Sequence, residues 1–193
     1  MIDTLYPAFR HWSAKGSVWI ISDTHFEDED CKLMDPNWPT SEEYINGIRG
    51  ISKNDTVIHL GDVGNPVWMD KIKGYKVLIM GNHDESASRF TDYFDEVYTG
   101  PLIIAEKILL SHEPILHYGF FNIHGHNHNI CSHYTNHMNC AANVVNYKKI
   151  NLKTDIIDKG YLKNVKSIHR TEIDETNAVK ILKEYDQYDY DFM

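Results

Sequence analysis

Residues that could hold metal ions or carry protons recur in this chain at the ends of short apolar runs. The clearest case is Gly81-Asn82-His83-Asp84, which follows the apolar run Val77-Leu78-Ile79-Met80. An amide oxygen, an imidazole and a carboxylate stand together there, after a glycine that lets the backbone turn sharply. These groups could serve as a metal ligand, a proton carrier and a carboxylate that orients the imidazole.

Four further polar clusters also follow apolar runs. They are Asp23-Thr24-His25, Gly61-Asp62, Ser111-His112 and His124-Gly125-His126-Asn127-His128. Taken alone, a histidine at a strand end is usually a surface residue, and Gly-Asp is a common turn. Five clusters of this kind in one chain make coincidence a poor explanation. Their nitrogen and oxygen atoms are sufficient to bind two metal ions.

The apolar runs predict the strands that position these clusters. Val18-Trp19-Ile20-Ile21 and the runs at 56–60 and 76–80 are short and continuous, as in strands covered on both faces. With helices between them, such strands form parallel βαβ units. Ligand sites in these sheets lie beyond the carboxyl ends of the strands, where the clusters fall. His59, inside the second strand, is expected to be a core residue and not a ligand.

The remaining elements are less regular. Helices are expected at 41–50, 66–71, 86–94 and 174–185. Short apolar runs at 102–104, 108–110 and 120–123 predict a second, largely antiparallel or mixed sheet. We expect residues 129–142 to form a polar loop and residues 143–152 to form one more strand.

The composition fits one domain over residues 1–193 and limits the partners. A chain of 193 residues, 42% of them hydrophobic, is long enough for one buried core and short for two. The net charge of −9 disfavours strong non-specific binding to nucleic acid. No apolar run reaches membrane-spanning length, and no signal peptide is expected. Three cysteines, an odd count, fit a reducing compartment, so a cytoplasmic location is expected.

The ordered set of clusters resembles the calcineurin-like metallophosphoesterase superfamily. That family carries Asp-x-His, Gly-Asp, Gly-Asn-His-Asp/Glu, an isolated His and Gly-His-x-His, and each has a counterpart here between residues 18 and 128. A motif set in the right strand-end context is more specific than any single motif. The resemblance is to the compact bacterial and phage members. It implies an α/β fold, a four-layer α/β/β/α sandwich in which two mixed β-sheets are flanked by helices.

The resemblance also implies roles for individual residues. One metal ion would be held by Asp23, His25, Asp62 and His128, and a second by Asp62, Asn82, His112 and His126. Such ligands suit divalent Mn, Fe, Zn, Co or Ni, and Mn is the expected ion. His83 would be free of metal and would protonate the leaving oxygen, with Asp84 orienting its ring.

The activity that this centre implies is hydrolysis of a small phosphate ester. Two cations about 3.5 to 4 Å apart can clamp a phosphate and turn a bridging water into a hydroxide near neutral pH. Protein phosphatases of the superfamily carry arginines beside the second and third motifs, where this chain has Val63-Gly64 and Met80. Their absence favours small phosphodiesters or phosphomonoesters.

Two other functions are weighed against this one. A non-catalytic, protein-binding member of the superfamily would be expected to lack His83 or several ligands, and this chain keeps them all. A nuclease that acts on polymers is disfavoured by the acidic balance. The oligomeric state is left open.

A second metal site is possible at Cys131, His133, His137 and Cys140. Two thiolates and two imidazoles could complete a tetrahedral zinc site. The spacing is not that of a common zinc finger, so a loop that faces substrate or solvent is the alternative interpretation.

Overall fold

The structure is a computed structural model that describes residues 1–117, 119–129, 136–163 and 165–166. Within these ranges nine strands form one sheet of five strands and one of four. The strands are β1 (Val18–Ile21), β2 (Thr56–His59), β3 (Tyr75–Ile79), β4 (Glu96–Tyr98), β5 (Leu102–Ala105), β6 (Ile108–Leu110), β7 (Phe121–His124), β8 (His137–Asn139) and β9 (Ile150–Asn151).

The five-stranded sheet has the order β4-β3-β2-β1-β9. Its first four members are parallel, and β9 pairs with β1 in the antiparallel direction. Ile21, His59 and Leu78 lie side by side across β1, β2 and β3. The loops that follow these three strands therefore leave the sheet at one edge, as the sequence predicts.

The four-stranded sheet has the order β5-β6-β7-β8. Only β5 and β6 are antiparallel, while β6, β7 and β8 run parallel. The sheet is therefore mixed and is not largely antiparallel. The connections between β6 and β7 and between β7 and β8 span residues 111–120 and 125–136.

The helices are short. They are α1 (Cys31–Met34) and α2 (Ser41–Gly47), 3₁₀-helices at Pro7–Ser13, Pro66–Lys71 and Ala87–Arg89, and a π-helix at Leu152–Ile157. Thr40 caps α2 through a reciprocal pair of hydrogen bonds with Glu43. The helix predicted at 41–50 thus ends early, at Gly47. The helix predicted at 66–71 is a 3₁₀-helix, the one at 86–94 shrinks to a single turn, and the one at 174–185 lies outside the described residues.

The strand predicted at 143–152 is wrong over most of its length. Asn146 and Tyr147 have positive φ angles of 53° and 57°, and the amide of Tyr147 bonds to the carbonyl of Ala142, so this stretch is a turn. Only Ile150 and Asn151 pair with β1. Conversely, β8 lies in a stretch for which the sequence predicts a polar loop.

The five-stranded sheet is buried on both faces. On one face Ile20 and Ile58 pack with residues of the second sheet such as Ile104. On the other face Val57 and Leu78 pack against residues from the helical side, Tyr44, Met69 and Phe90 among them. The predicted sandwich of two mixed sheets flanked by helices is confirmed. None of the helices in the described ranges has the length and apolar character that crossing a lipid bilayer requires.

Candidate metal centre

The loops at the carboxyl edge of the two sheets have strained backbones. Among the described residues other than glycine, seven have positive φ angles. Four of them are predicted metal ligands: Asp23, His25, Asp62 and His126. Such angles cost on the order of 1–3 kcal/mol each and persist where the surroundings impose them. Strain is therefore concentrated on the ligand-bearing loops.

Glycines allow these loops to approach one another closely. A Cβ atom at Gly61, whose φ is +96°, would lie 2.5 Å from the Gly81 nitrogen and 2.7 Å from Nδ1 of His112. A Cβ atom at Gly125 would collide with Ser22 and Asp23. Gly61, Gly81 and Gly125 thus allow the ligand-bearing loops to pack directly against one another.

One group of potential ligands consists of Asp23, His25 and His128, whose ligand atoms lie within 4.8 Å of one another. Nε2 of His128 is 3.5 Å from Oδ1 of Asp23. Nε2 of His25 is buried and has no hydrogen-bond partner in the protein. On the other side of this ring, Nδ1 lies 3.4 Å from Oδ2 of Asp28. Nε2 of His25 therefore faces the other members of this group without a hydrogen-bond partner.

A second group consists of Asp62, His112 and His126, again within 4.8 Å of one another. Oδ1 of Asn82 lies 2.9 Å from Nε2 of His112 and 3.0 Å from Nδ1 of His126. The structure thus brings all seven predicted ligands into two adjacent groups.

The hydrogen bonds of His112 show how the second group could accept a cation. Nδ1 of this ring is 2.7 Å from the carbonyl oxygen of Leu60, which can only accept, so Nδ1 carries a proton. In the neutral ring Nε2 then has a lone pair. It faces Oδ1 of Asn82 and, at 3.3 Å, Oδ2 of Asp62, which are also acceptors. A metal ion, a second proton on Nε2 or an N–H donated by Nδ1 of His126, which lies 3.2 Å away, would relieve this repulsion.

The electrostatics of His112 agree with that account. Burial lowers the pKa of His112, but the hydrogen bond to Asp62 and the charges of Asp23 and Asp62 outweigh burial and raise it. Without metal, this environment therefore favours a proton on Nε2. A metal ion would take the place of that proton.

Asp62 lies between the two groups. Its Oδ2 atom is 3.3 Å from Nε2 of His112 and 3.7 Å from Nε2 of His25. Burial raises the pKa of Asp62, but the hydrogen bond and charge of His112 outweigh it and bring the pKa to about 2. Asp62 is therefore an ionised carboxylate at the junction of both groups.

Asp23 is fully buried and well supplied with donors. Its carboxylate accepts hydrogen bonds from the Ser22 hydroxyl and from the backbone amide of His126. Burial raises the pKa of Asp23, against the lowering effect of the nearby His112 and Ser22. The amide contact ties the loop after β1 to the loop after β7.

His83 lies beside the centre and is open to solvent. Its ring centroid is 5.6 Å from that of His25, and its backbone amide donates to Oδ1 of Asp62 at 2.9 Å. The side chain is exposed. This arrangement leaves the imidazole accessible next to residues that could hold metal.

The geometry of Asp84 differs from the prediction that it orients the ring of His83. The carboxylate of Asp84 is buried and accepts hydrogen bonds from the backbone amides of Asp62, Val63 and Gly81, at 2.8 to 3.0 Å. Both carboxylate oxygens are engaged in these bonds. Asp84 therefore fastens the loop after β3 to the loop after β2, through amides that are 21 and 22 residues away along the chain.

His59 is a core residue, as predicted. It is completely buried, its Nε2 is 2.9 Å from Oγ1 of Thr24, and its Nδ1 accepts from the amide of Gly61. Burial lowers the pKa of His59 to about 3. A neutral imidazole whose two nitrogens both take part in hydrogen bonds has no free lone pair for a metal.

Sequence reasoning missed Asn143, which contacts His128 at two points. An asparagine in a polar stretch outside the motifs gives no signal that separates it from other asparagines.

The second possible metal site consists of Cys131, His133, His137 and Cys140. Cys131 and His133 lie outside the described residues. Nδ1 of His137 is 2.9 Å from Nε2 of His124, and Cys140 is a free, buried thiol.

The chain is similar to known proteins in sequence and in fold. The family model described as calcineurin-like phosphoesterase matches residues 16–191. A protein of unknown function from Aquifex aeolicus superposes with a TM-score of 0.61 and 27% identity, over 74% of this chain and 98% of that chain. Nuclease MPE from Pseudomonas putida gives a TM-score of 0.41 and 20% identity over 60% of this chain and 63% of that one, which is too remote for a functional argument. No curated protein matches the chain.

Proposed function

The chain belongs to the calcineurin-like phosphoesterase family, and we propose that it is a binuclear metal-dependent phosphoesterase that hydrolyses small phosphodiesters or phosphomonoesters. The observation that carries this proposal is the position of Asp62. One carboxylate oxygen lies within 4 Å of imidazole nitrogens from both ligand groups, at 3.3 and 3.7 Å. An ionised carboxylate at that junction can bridge two cations.

The protein groups at the centre fit bound metal. Nε2 of His25 is buried without a partner, and Nε2 of His112 faces two oxygen acceptors. Metal-ligating histidines commonly donate their other ring N–H to a carbonyl or carboxylate. His112 does so to the Leu60 carbonyl, and Nδ1 of His128 is 3.0 Å from the amide oxygen of Asn143. The rings are thus already oriented for a cation.

The proposed ligands are divided between two ions. Asp23, His25, Asp62 and His128 would hold one, and Asp62, Asn82, His112 and His126 the other. The nitrogen and oxygen donors suit Mn²⁺ or another divalent transition metal. When bound, two such ions supply charge neutralisation of phosphate oxygens and acidify a water molecule.

His83 is the proposed proton donor to the leaving oxygen. Its ring is exposed beside His25, and its backbone is fixed by the bond to Asp62. A positioned imidazole of this kind is a typical general acid. Asp84 acts as a positioning residue, because it holds the backbone of the His83 loop against the loop that carries Asp62.

A pocket that adjoins the first ligand group, through the contact between Asp28 and His25, would favour diesters over monoesters. It has a volume of about 600 Å³ and is lined by the acidic stretch 27–30 together with Phe26 and Arg89. That size suits a small ligand. Four carboxylates against one guanidinium repel a monoester dianion more strongly than a diester monoanion. We therefore expect diesters to be the better substrates.

A reducing, cytoplasmic environment remains part of the proposal. Cys31 and Cys140 are both free and buried. Burial raises the pKa of Cys31 to about 12, so this thiol stays protonated at neutral pH and is a poor nucleophile. Unpaired thiols of this kind persist where disulfides are not favoured.

The test is a hydrolysis assay on protein depleted of metal and then reconstituted with Mn²⁺. We expect hydrolysis of bis-p-nitrophenyl phosphate that exceeds that of p-nitrophenyl phosphate, that disappears with a chelator and that returns with Mn²⁺. Asp92→Asn, at an exposed acidic residue away from the ligand groups, is the control and should behave as wild type. Failure of the reconstituted protein to hydrolyse either ester would refute the proposed activity.

A further inference from the structure

Asn143 holds His128 at two points. Its Oδ1 atom is 3.0 Å from Nδ1 of the His128 ring, and its Nδ2 atom donates to the backbone carbonyl of His128 at 2.9 Å. Asn143 belongs to none of the motifs that identify the centre, and it lies in the turn after β8, fifteen residues along the chain. One side chain thus fixes both the ring and the backbone of a proposed ligand.

The carbonyl contact determines which way the amide of Asn143 faces. A backbone carbonyl can only accept, so the atom of Asn143 beside it must be the NH₂ group. The other end of the amide, which meets the imidazole, is therefore the oxygen. Since this oxygen can only accept, Nδ1 of His128 must carry the proton.

This assignment leaves a lone pair on Nε2 of His128. Nε2 faces Oδ1 of Asp23 at 3.5 Å, inside the first ligand group. Without the contact to Asn143, a neutral imidazole could place its proton on Nε2 and donate it to the Asp23 carboxylate. That tautomer would put a proton where a metal ion must bind.

Asn143 is itself held in a rigid turn. The amide of Asn146 bonds to the carbonyl of Asn143, and the amide of Tyr147 bonds to that of Ala142. Ala141 and Ala142 are buried. The contact with His128 therefore comes from a fixed support and not from a mobile surface side chain.

The same segment supports the loop after β7 at two other positions. The amide of Cys140 donates to the carbonyl of His124, and Nδ2 of Asn139 donates to the carbonyl of Asn127. Asn139 is fully buried. Residues 139–143 thus contact the stretch 124–128, which carries His126 and His128, at three backbone carbonyls.

We propose that Asn143 is a positioning residue that sets the Nδ1–H tautomer of His128 and so leaves Nε2 free for metal; only the last clause rests on the proposed function. Loss of a group that hydrogen-bonds to a metal-ligating histidine typically weakens metal affinity by about 10- to 100-fold.

The tautomer is measured on metal-free, ¹⁵N-labelled protein by long-range ¹H–¹⁵N correlation spectra, at a pH where His128 is neutral. The spectrum of a His128→Asn variant assigns the signals. We expect Nδ1–H in the wild type and in Asn143→Asp, which keeps an acceptor oxygen. In Asn143→Ala and Asn143→Leu the Nε2–H form should gain a large share. Asn46→Ala, at an exposed helical asparagine, is the control.

Two results would overturn the proposal: an Nε2–H tautomer in the wild type, or an unchanged tautomer in Asn143→Ala and Asn143→Leu. If neither of these variants folds, Asn143→Asp decides, because an Nε2–H tautomer there contradicts an acceptor-based mechanism. A purely structural role of Asn143 would not predict that Asp rescues the tautomer.

A second readout is the affinity for Mn²⁺, measured by isothermal titration calorimetry. Asn143→Ala should weaken one of two binding steps by about 10- to 100-fold, and Asn143→Asp should restore most of it. If the tautomer shifts but wild type neither binds Mn²⁺ nor hydrolyses esters, the proposed function fails and the positioning of His128 stands. If the wild type is active and the tautomer does not respond, the positioning inference alone fails.

Discussion

Two regions of this protein combine carboxylates with histidines, and they differ in their balance of hydrogen-bond donors and acceptors. We call one the Glu96 cluster; it consists of Glu96, His11, Trp12, Tyr75 and Tyr98. There the carboxylate receives an indole N–H at 3.1 Å and two phenol O–H groups at 2.9 and 2.5 Å. At the candidate metal centre, Asp62 instead faces Nε2 of His25, which has no hydrogen-bond partner, and Nε2 of His112, which also faces Oδ1 of Asn82.

The two regions also occupy different edges of the five-stranded sheet. Tyr75 and Glu96 are the first residues of β3 and β4, whereas the ligand loops follow the last residues of β1, β2 and β3. The Glu96 cluster ties the 3₁₀-helix at Pro7–Ser13 to the sheet. In this cluster both carboxylate oxygens of Glu96 accept hydrogen bonds.

The difference shows that an acid next to a histidine does not by itself indicate a metal site. In the Glu96 cluster the donors satisfy the carboxylate, so the cluster is complete as it stands. At the centre, His25 Nε2 has no partner and His112 Nε2 faces acceptors. A cation bound at this centre would supply the partners that these nitrogens lack.

The largest expected effect on activity and metal content comes from replacing Asp62, and replacing Glu96 is the comparison. Asp62→Ala should abolish phosphoesterase activity and remove both metals, because Asp62 touches both ligand groups. His128→Ala should mainly remove one metal, since His128 belongs to one group only. Glu96→Gln should keep activity and metal content. The measurement is metal content and hydrolysis rate of each purified variant.

This asymmetry can fail in two ways. Equal loss of a single ion in Asp62→Ala and His128→Ala would show that Asp62 does not bridge. Loss of metal in Glu96→Gln, with the fold retained, would show that the balance of donors and acceptors does not distinguish the two regions.

A smaller effect is expected at His83, which is beside the centre without being needed to hold metal. His83→Ala should keep metal content and lower kcat by ~10²- to 10⁴-fold, as for loss of a positioned acid. The defect should shrink for esters with good leaving groups, because a stable leaving anion needs a proton less. Loss of metal in this variant would identify His83 as a ligand. Full activity of this variant on every ester tested would refute the catalytic role of His83.

The sequence predicts the position of the centre because parallel strands place their carboxyl ends at one edge. The clusters after β1, β2 and β3 converge for that reason, and the ligand groups contain residues that were predicted from motif order. His59 was also predicted as a core residue, and its two hydrogen bonds confirm this.

The parts that were not predicted depend on contacts between distant stretches. The role of Asp84 follows from amides that belong to another loop, and that of Asn143 from a turn fifteen residues beyond His128. The apolar residues at 144–145 indicate a strand, but the positive φ angles of Asn146 and Tyr147 turn the chain instead. Local sequence patterns do not contain such long-range contacts.

The smallest effect concerns stability and belongs to the Glu96 cluster. Burial raises the pKa of Glu96, but hydrogen bonds from Tyr98, His11 and Trp12 outweigh it and lower the pKa below the ordinary value of a glutamate. The ionised carboxylate therefore stabilises the fold above that value, and this contribution is lost as the pH falls through the folded pKa.

Glu96→Gln should lower the free energy of unfolding by about 1–3 kcal/mol near pH 7, the usual contribution of hydrogen bonds to a charged group. The difference between wild type and variant should shrink on acidification to about pH 3, since Gln cannot lose a charge. Urea unfolding at several pH values measures it. A difference that grows as the pH falls would contradict the cited direction of the pKa.

The central claim is that a buried set of lone pairs, shared through Asp62, holds two cations. Elemental analysis of protein reconstituted with Mn²⁺ tests it most directly, with Glu96→Gln measured alongside. We predict close to two ions per chain in both proteins and close to none in Asp62→Ala. One ion or none in the wild type would contradict the account.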